Sequence, residues 1–231
     1  SPPNYNMYNQ VKIVMILQNW ELADTTFEDT ISEHLYTKSL MTVRYSYVDP
    51  VILNVIPTMD VYVTRGYSLS TVQSAIETAL DNEFLLGSTT KLGVAKRLAD
   101  VYSVVEAVDG VSYSHITLRI RKDLSDTYNS LYDWSEALDA LDVKTSSIYI
   151  YVDDDLVAQD DGLGGFTDLS ITYTITGDID YTTGELGLNI NPAIGSSSTI
   201  YAIYEQDENG DIVPEKNDIC KLYEVDVTSI Q

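Results

Sequence analysis

The spacing of apolar residues changes near residue 146, and this change restricts the possible folds more than any other feature of the sequence. Before it, apolar residues follow both helical and strand spacings. From Ser147 onward, Ile148, Ile150 and Val152 alternate with tyrosines, and further short alternating runs follow, separated by turn residues. Short strands with regularly spaced turns are typical of a small β-sandwich or barrel. The sequence therefore predicts a mixed region followed by an all-β region.

The apolar pattern before residue 122 predicts the element order β-α-β-β-α-α-β. Strands are expected at 11–17, 41–47, 52–63 and 112–120, and helices are expected to start near Thr25, Ser70 and Thr90. The second helix would carry Val72, Ile76 and Leu80 on one side. Pro57 lies inside the third strand, which favours an edge position or a bulge there. This order suits a sheet with helices packed on one face.

The sequence predicts an α+β fold, in which an antiparallel or mixed N-terminal sheet carries helices on one face and a small all-β sandwich-like domain follows. Leu131, Trp134 and Leu138 recur at helical spacing in an acid-rich stretch between these two regions, which indicates a short amphipathic helix. The predicted parts are an α+β domain at 1–122, an acidic helical linker at 123–145 and an acidic β-sandwich or barrel domain at 146–231.

The charge of the chain is strongly negative and unevenly distributed. Its 231 residues include 36 acidic and 13 basic residues, a net charge of −23. Residues 1–122 hold 10 basic and 13 acidic residues, whereas residues 123–231 hold 3 and 23, a net charge of −20. Such a surface repels nucleic-acid phosphates and anionic lipid headgroups, so neither partner is expected. No apolar run approaches the roughly 20 residues that a membrane-spanning helix needs.

The residues that usually carry catalysis are few. Cys220 is the one cysteine, which excludes an internal disulfide and a multi-cysteine metal site. His34 and His115 lie in no recognisable motif, and no Gly-x-Ser-x-Gly sequence is present. We therefore predict that the chain is not an enzyme. It opens with Ser1-Pro2-Pro3 and not with Met, which suggests a fragment of a longer protein.

Two acidic segments raise the question of calcium. In residues 207–211, oxygen-bearing side chains surround a glycine, as in the first half of a calcium loop. The glycine is at the fourth position where such loops have it at the sixth, and Pro214 interrupts the loop, so a plain β-turn is the simpler interpretation. No cofactor is assigned, with calcium kept as the alternative. The candidate calcium ligands are Asp207, Asn209, Asp211 and Asp218. A second acidic group, Asp153–Asp155 with Asp160 and Asp161, is interpreted as a solvated hairpin end.

Basic residues concentrate on the predicted third helix and on the strand at 112–120 and the residues just after it. One interpretation is a solvated face, and the other is a docking surface for an acidic partner, such as the second domain of another copy. The candidate interaction residues are Lys91, Lys96, Arg97, Arg119, Arg121 and Trp134.

A strand, helix, helix and strand follow one another over residues 50–120. Their sequences are ILNVIPTMDVYVTRG, TVQSAIETALDNEF, KLGVAKRLADVYSVVEAV and DGVSYSHITLRI, and the second helix followed by DGV and a strand is the most specific part. This pattern resembles the central domain of baseplate J-like wedge proteins of contractile-tail bacteriophages. In addition, GDIDYTTGELGL at 177–188 is similar to a hairpin of phage structural proteins.

The resemblance implies a structural component of a phage tail baseplate, located in the virion. Such a protein associates with copies of itself and with other baseplate and tail proteins during assembly and contraction. The family has no catalytic residues, so the resemblance implies none here. The alternative is an acidic extracellular β module that binds calcium or a carbohydrate.

Overall fold

The structure is a computed structural model that describes residues 9–38, 43–124, 133–139, 142–195, 198–207 and 209–230. The helices are α1 (Thr25–Tyr36), α2 (Leu69–Glu83) and α3 (Leu98–Glu106). The strands are β1 (Asn9–Val14), β2 (Val43–Val48), β3 (Ile52–Val63), β4 (Val111–Asp123), β5 (Asp133–Ala137), β6 (Tyr149–Val152), β7 (Asp155–Asp160), β8 (Phe166–Asp168), β9 (Thr174–Ile179), β10 (Glu185–Asn191), β11 (Ile200–Tyr204), β12 (Ile219–Leu222) and β13 (Asp226–Ile230). The fold is α+β, as the sequence predicted. The chain divides into two compact units, Ser1–Val51 and Ile52–Gln231.

The unit Ser1–Val51 contains one parallel pair of strands joined through a helix. Strands β1 and β2 pair in register from Asn9 opposite Val43 to Val14 opposite Val48, and α1 forms the crossover that parallel strands require. Asp24 caps α1, because its carboxylate accepts a hydrogen bond from the Phe27 amide at 2.7 Å. The predicted start of α1 near Thr25 is confirmed, with the capping role one residue earlier.

The apolar side chains of this first unit are not buried. Helix α1 has no buried residue, and both Val11 of β1 (41% exposed) and Phe27 of α1 (39% exposed) are solvent-accessible. Among the described side chains of residues 9–51, Pro50 alone is buried. The sequence predicted a buried strand at 11–17. The strand is confirmed, but its burial is not, because one neighbouring strand and one helix cannot cover both of its faces.

The unit Ile52–Gln231 is built on an eight-stranded sheet in the order β12-β3-β4-β11-β6-β7-β8, with β13 also paired to β3. Strands β12 and β13 run parallel to the same side of β3, one after the other. The other pairs in this sheet are antiparallel. A smaller antiparallel sheet has the order β5-β10-β9.

Pro57 lies in the middle of β3, a strand with partners on both sides, and is neither at the predicted edge nor at a bulge, since the register of β3 with β4 shifts only between Tyr62 and Val63. The carbonyl of Val55 accepts a hydrogen bond from the Tyr223 amide at 2.9 Å, so the main-chain groups of Val55 face the side of β12 and β13. Pro57 is two residues further along and faces the same side. It lies between the stretches of β3 that pair with β12 and with β13. The missing amide hydrogen of Pro57 therefore leaves no ladder bond unmade.

A single hydrophobic core joins the helices and both sheets of this second unit. Val72, Ile76 and Leu80 of α2 are buried in it, which confirms the predicted apolar side of that helix. Ile150 of β6 and Leu188 of β10 belong to the same core. The eight-stranded sheet is thus covered by α2 and α3 in one part and packed with the smaller sheet in another, a two-layer arrangement.

The division of the chain differs from the predicted one. Strand β4 of the predicted first domain pairs with β11 of the predicted second domain, so one sheet continues across the expected boundary. The predicted helical linker is wrong for its described part at 133–139, because 133–137 form strand β5 beside β10. The continuous sheet and the strand at 133–137 both result from pairing between strands that are distant in the chain. The spacing of apolar residues within one segment does not reveal such pairing.

The structure also differs from the prediction at two shorter segments. The third helix was expected from Thr90, but α3 begins at Leu98. Lys96 and Ile212 exchange two main-chain hydrogen bonds of 2.9 Å, and this bridge holds the chain before α3 in an extended form. The alternating segment 169–175 was expected to be a strand. Its first five residues form a turn region between β8 and β9, with Ile171 fully exposed.

Candidate interaction face

One face of the eight-stranded sheet is turned away from the core, and strand alternation decides which side chains it carries. In β4, Ile116, Leu118 and Ile120 are buried in the core, so the residues between them point to the opposite side. We call this opposite side the outer face. Its described members include Tyr62, Tyr113, His115, Thr117, Arg119, Arg121, Tyr149, Tyr151, Tyr201 and Tyr223.

Four of these side chains stack in a row across neighbouring strands. The rings of Tyr151 and Tyr201 are parallel within 7°, with centroids 4.9 Å apart. The guanidinium carbon of Arg121 lies 3.5 Å from the Tyr201 ring centroid and 4.7 Å from that of Tyr223. We call Tyr151, Tyr201, Arg121 and Tyr223 the tyrosine–arginine row. Cation–π contact and ring stacking both favour this arrangement.

The tyrosine hydroxyl groups of the row remain protonated near neutral pH. Burial, and then a hydrogen bond from the Tyr201 hydroxyl to Asp154 at 3.0 Å, raise the pKa of Tyr201 to about 12. Burial also raises the pKa of Tyr151. These rings are therefore neutral stacking partners for the Arg121 cation.

The two arginines of the outer face have different surroundings. Arg119 lies 5.6 Å from the Tyr149 ring centroid, and its Nε is 3.6 Å from the Glu205 carboxylate. Arg121 forms no ion pair with any described residue and is held by its two ring contacts. Lys122, which points into the molecule, is bound by Asp139 at 2.7 Å and by Glu136 at 3.3 Å. Arg121 is therefore held by aromatic rings, and no acidic residue of the described part of the chain is paired with it.

A second stacked pair lies at the other end of the β3–β4 ladder. The rings of Tyr62 and Tyr113 are 4.0 Å apart and nearly parallel at 14°. A hydrogen bond with Tyr62 raises the pKa of Tyr113. Between this pair and Arg119 lies a depression of about 190 Å³. Its lining consists of Thr58, Met59, Asp60, His115, Thr117 and Arg119.

The predicted basic group is only partly present on this surface. Lys96 is buried, and its Nζ contacts both the carbonyl of Glu83 at 2.6 Å and its carboxylate at 3.0 Å, so its prediction as an interaction residue is wrong. Lys91 and Arg97 are exposed but precede α3, whereas the sequence placed them on a helix. Trp134 lies in β5 opposite Leu188 and not on a helix. Arg119 and Arg121 are the predicted residues that the structure brings together on the outer face.

The four candidate calcium ligands have different surroundings, and one of them caps a helix. The Asp211 carboxylate accepts a hydrogen bond from the Leu98 amide at 2.8 Å and thereby caps α3. Asp218 is buried. Asp207 donates its amide to the Asp142 carbonyl at 2.8 Å, and Asn209 has a positive φ of 56°. Among the residues that the structure describes, no cluster of three or more His, Cys, Asp or Glu side chains is arranged to hold a metal ion.

The second acidic group also works inside the fold. The buried carboxylate of Asp160 accepts hydrogen bonds from the Ser146 and Ile148 amides, each at 2.7 Å, and from the Tyr181 hydroxyl at 2.9 Å. Burial, and then this bond to Asp160, raise the pKa of Tyr181 to about 12. Asp160 is therefore an internal acceptor that orders the loop before β6, and its interpretation as part of a solvated hairpin end is wrong.

Asp161 and Asp153 stabilise loops from the surface. Hydrogen bonds from the Gly165 and Leu163 amides, at 2.9 and 2.7 Å, lower the pKa of Asp161. A bond from the Thr199 amide at 2.8 Å lowers the pKa of Asp153. Both carboxylates are held in the charged form by main-chain donors.

Sequence reasoning missed the tyrosines that hold Arg121. Alternation in β6 and β4 does place Tyr149, Tyr151 and the two arginines on one side of their strands, and this signal was available. Tyr223 follows β12, and its ring reaches Arg121 because β12 pairs with β3 beside β4. That neighbourhood exists only in the folded sheet.

The fold and the outer face define an α+β protein with a group of tyrosines and two arginines on one face of its large sheet. No protein-family model matches the chain, and no curated protein is significantly similar to it. Within the described ranges, no helix is long and apolar enough to cross a membrane.

Proposed function

We propose that this chain is a structural subunit of a phage tail baseplate, which associates with copies of itself and with neighbouring baseplate proteins. The observation that carries this proposal is the exposure of apolar side chains in the described part of the first unit, such as Val11, Leu22 and Phe27. Parallel sheets are normally covered on both faces, and a two-stranded sheet is marginal in water. A small sheet with exposed apolar side chains is stabilised when another protein covers those side chains, as happens in an assembly.

The outer face of the second unit supports the same proposal. Tyrosine and arginine are enriched in protein interfaces, where rigid aromatic rings provide contact area at a small entropic cost. The outer face carries two stacked tyrosine pairs and the fixed guanidinium of Arg121. The resemblance of residues 50–120 to baseplate wedge proteins supports it further, since β3, α2, α3 and β4 follow in the expected order.

The charge of the chain fits a subunit that stays separate before assembly. A net charge of −23 keeps free copies apart in solution through mutual repulsion. Specific contacts then have to overcome this repulsion locally, which restricts association to complementary surfaces.

The experiment that tests the proposal is immunogold labelling of virus particles from the source, with an antibody against this chain. We expect gold particles at the tail tip, and no label after the antibody has been adsorbed with the purified chain. Label that is absent from every particle, with signal on cells or in the medium, would contradict the proposal.

A further inference from the structure

We infer that the depression on the outer face, between the Tyr62–Tyr113 pair and Arg119, binds a neutral sugar residue of a glycan. The inference goes beyond the proposed function, because it adds a small-ligand site to one part of the outer face. It stands on the shape of the depression, the hydrogen-bonding groups that line it and the charges around it.

The shape of the depression follows from the order of side-chain sizes along two paired strands. Thr58 of β3 lies opposite Thr117 of β4, and Asp60 lies opposite His115 in the next position on the same side. Arg119 follows two residues after Thr117, also on this side. Because threonine is smaller than its neighbours, the surface is lowest at the two threonines. They form the floor of a space of about 190 Å³, with the larger side chains around it.

The lining offers hydrogen-bond donors and acceptors side by side. The ionised carboxylate of Asp60 only accepts, the guanidinium of Arg119 only donates, and the hydroxyl groups of Thr58 and Thr117 do both. Asp60 is exposed, and the other three side chains are half-buried, so all four are accessible to a ligand. A sugar hydroxyl also donates and accepts. The hydroxyl groups around one sugar ring can therefore donate to Asp60 and accept from Arg119 at the same time.

The charges around the depression favour a neutral ligand. Nε of Arg119 lies 3.6 Å from the Glu205 carboxylate, so an acid of the same chain balances this cation. Asp60 and the net charge of −23 repel an anion. Within the described part of the chain, no three His, Cys, Asp or Glu side chains are arranged to hold a metal ion. The side chain of Met59 is buried on the core side, so the lining is polar and unsuited to an apolar ligand.

An exposed aromatic ring borders the depression. Tyr113 is two residues before His115 on the same side of β4, and it is 51% exposed. Its ring stacks on that of Tyr62, with centroids 4.0 Å apart, which restricts its movement. The C–H groups of a sugar ring can pack against the exposed part of such a ring while the hydroxyl groups bind the polar lining.

The test is a nuclear magnetic resonance titration of the full chain with the methyl glycosides of glucose, galactose, mannose, fucose and N-acetylglucosamine. Glucuronic acid is the charged comparison. We expect saturable binding of at least one of the neutral sugars and no binding of glucuronic acid, since the carboxylates of the chain repel its charge.

Two variants locate the binding site. Thr117→Phe fills the floor of the depression from the solvent side and should abolish binding. Thr167→Phe makes the same change at an exposed threonine of β8, elsewhere in the same sheet, and should leave the dissociation constant unchanged. Asp60→Ala removes an exposed carboxylate and should raise the dissociation constant at least about tenfold, because it deletes hydrogen bonds to a charged group.

Thermal unfolding shows whether each variant is folded, and Asp60→Ala decides the matter if Thr117→Phe does not fold. A wild-type chain that binds none of the neutral sugars would overturn the inference. Folded Asp60→Ala that binds as tightly as the wild type, or equal effects of Thr117→Phe and Thr167→Phe, would also overturn it. Label at the tail tip without sugar binding would leave the proposed function standing, and sugar binding that depends on Asp60 without label on any particle would do the reverse.

Discussion

The two units of this chain contain similar apolar strands in different environments. The segment 11–17 in the first unit and the strand β3 in the second are both rich in apolar residues, in a pattern typical of strands covered on both faces. Strand β3 has neighbours on both sides, and Leu53, Val55 and Val61 in it are completely buried. Strand β1 pairs only with β2 among the described strands, and Val11 remains 41% exposed.

This difference shows that strand formation and strand burial have separate causes. A strand forms where local residues favour extended backbone and one neighbour accepts its hydrogen bonds. Its burial requires a second layer, which the first unit does not contain among its described residues and the second unit does. The exposed apolar side chains of residues 9–51 would therefore contribute stability if a partner covered them.

Hydrogen exchange should show the largest contrast between the units. We expect amides of β3 and β4 to exchange only through global unfolding, and amides of β1 and β2 to exchange through local opening, more than about 100-fold faster. Mass spectrometry of peptides after timed exchange measures both regions in one sample. Equal protection in the two units would show that the first is stable without a partner.

Removing one buried side chain in each unit tests the same contrast by mutation. Ile120→Ala deletes a completely buried side chain of β4 and should lower the free energy of unfolding by about 2–5 kcal/mol. Ile13→Ala removes a half-buried side chain of β1 and should cost less than about 1 kcal/mol in the isolated chain. Urea unfolding measures both. A loss for Ile13→Ala as large as that for Ile120→Ala would contradict the comparison.

Close packing inside the second unit can be tested at a pair of glycines. A Cβ at Gly177 in β9 would lie 2.1 Å from the Gly187 carbonyl oxygen, so Gly177→Ala must displace main chain and should destabilise the unit by about 1–3 kcal/mol. Gly187→Ala meets the Asp178 carboxylate oxygen at 2.9 Å, which can rotate away, and should cost less than Gly177→Ala. Thermal unfolding of the two variants gives the comparison, and equal losses would refute the packing argument.

The smallest expected effect is the pH dependence contributed by Asp161. Its main-chain hydrogen bonds hold its pKa below the ordinary value of 3.8, so its contribution to stability is present above that pH and is lost as the pH falls through the lower folded value. Asp161→Asn should therefore lose stability at pH 7 and differ less from the wild type in acid.

Urea midpoints at neutral pH and below pH 3.8 measure this difference. Asp155→Asn makes the same charge change at an exposed position of the same region and serves as the control. A gap between Asp161→Asn and the wild type that stays constant with pH would exclude a contribution from the ionised carboxylate.

Much of the second unit was predictable from local patterns. The strands at 52–63 and 112–120 and the buried side of α2 follow from the spacing of apolar residues over a few turns or pleats, and all three are confirmed. The buried position of Lys96 was not predictable. Its charge is satisfied by Glu83 of α2, and that contact depends on how the segment before α3 is held against Ile212.

The candidate site was predictable in part. The sequence placed Arg119 and Arg121 in or just after one strand, and alternation along extended backbone puts both on the same side of it. It did not reveal that Arg121 lies between two rings or that Arg119 faces Glu205, since these partners come from β11, from the residue after β11 and from the residue after β12.

The sequence by itself determined where most helices and strands form, which of their side chains point inward and how the charge is distributed along the chain. Each of these depends on residues close together in the chain. Only the tertiary structure decided that the predicted domains share one sheet and that Arg121 lies against the rings of Tyr201 and Tyr223. Strand pairing over long distances is selected by the burial of whole faces, and that choice is made by the fold as a unit.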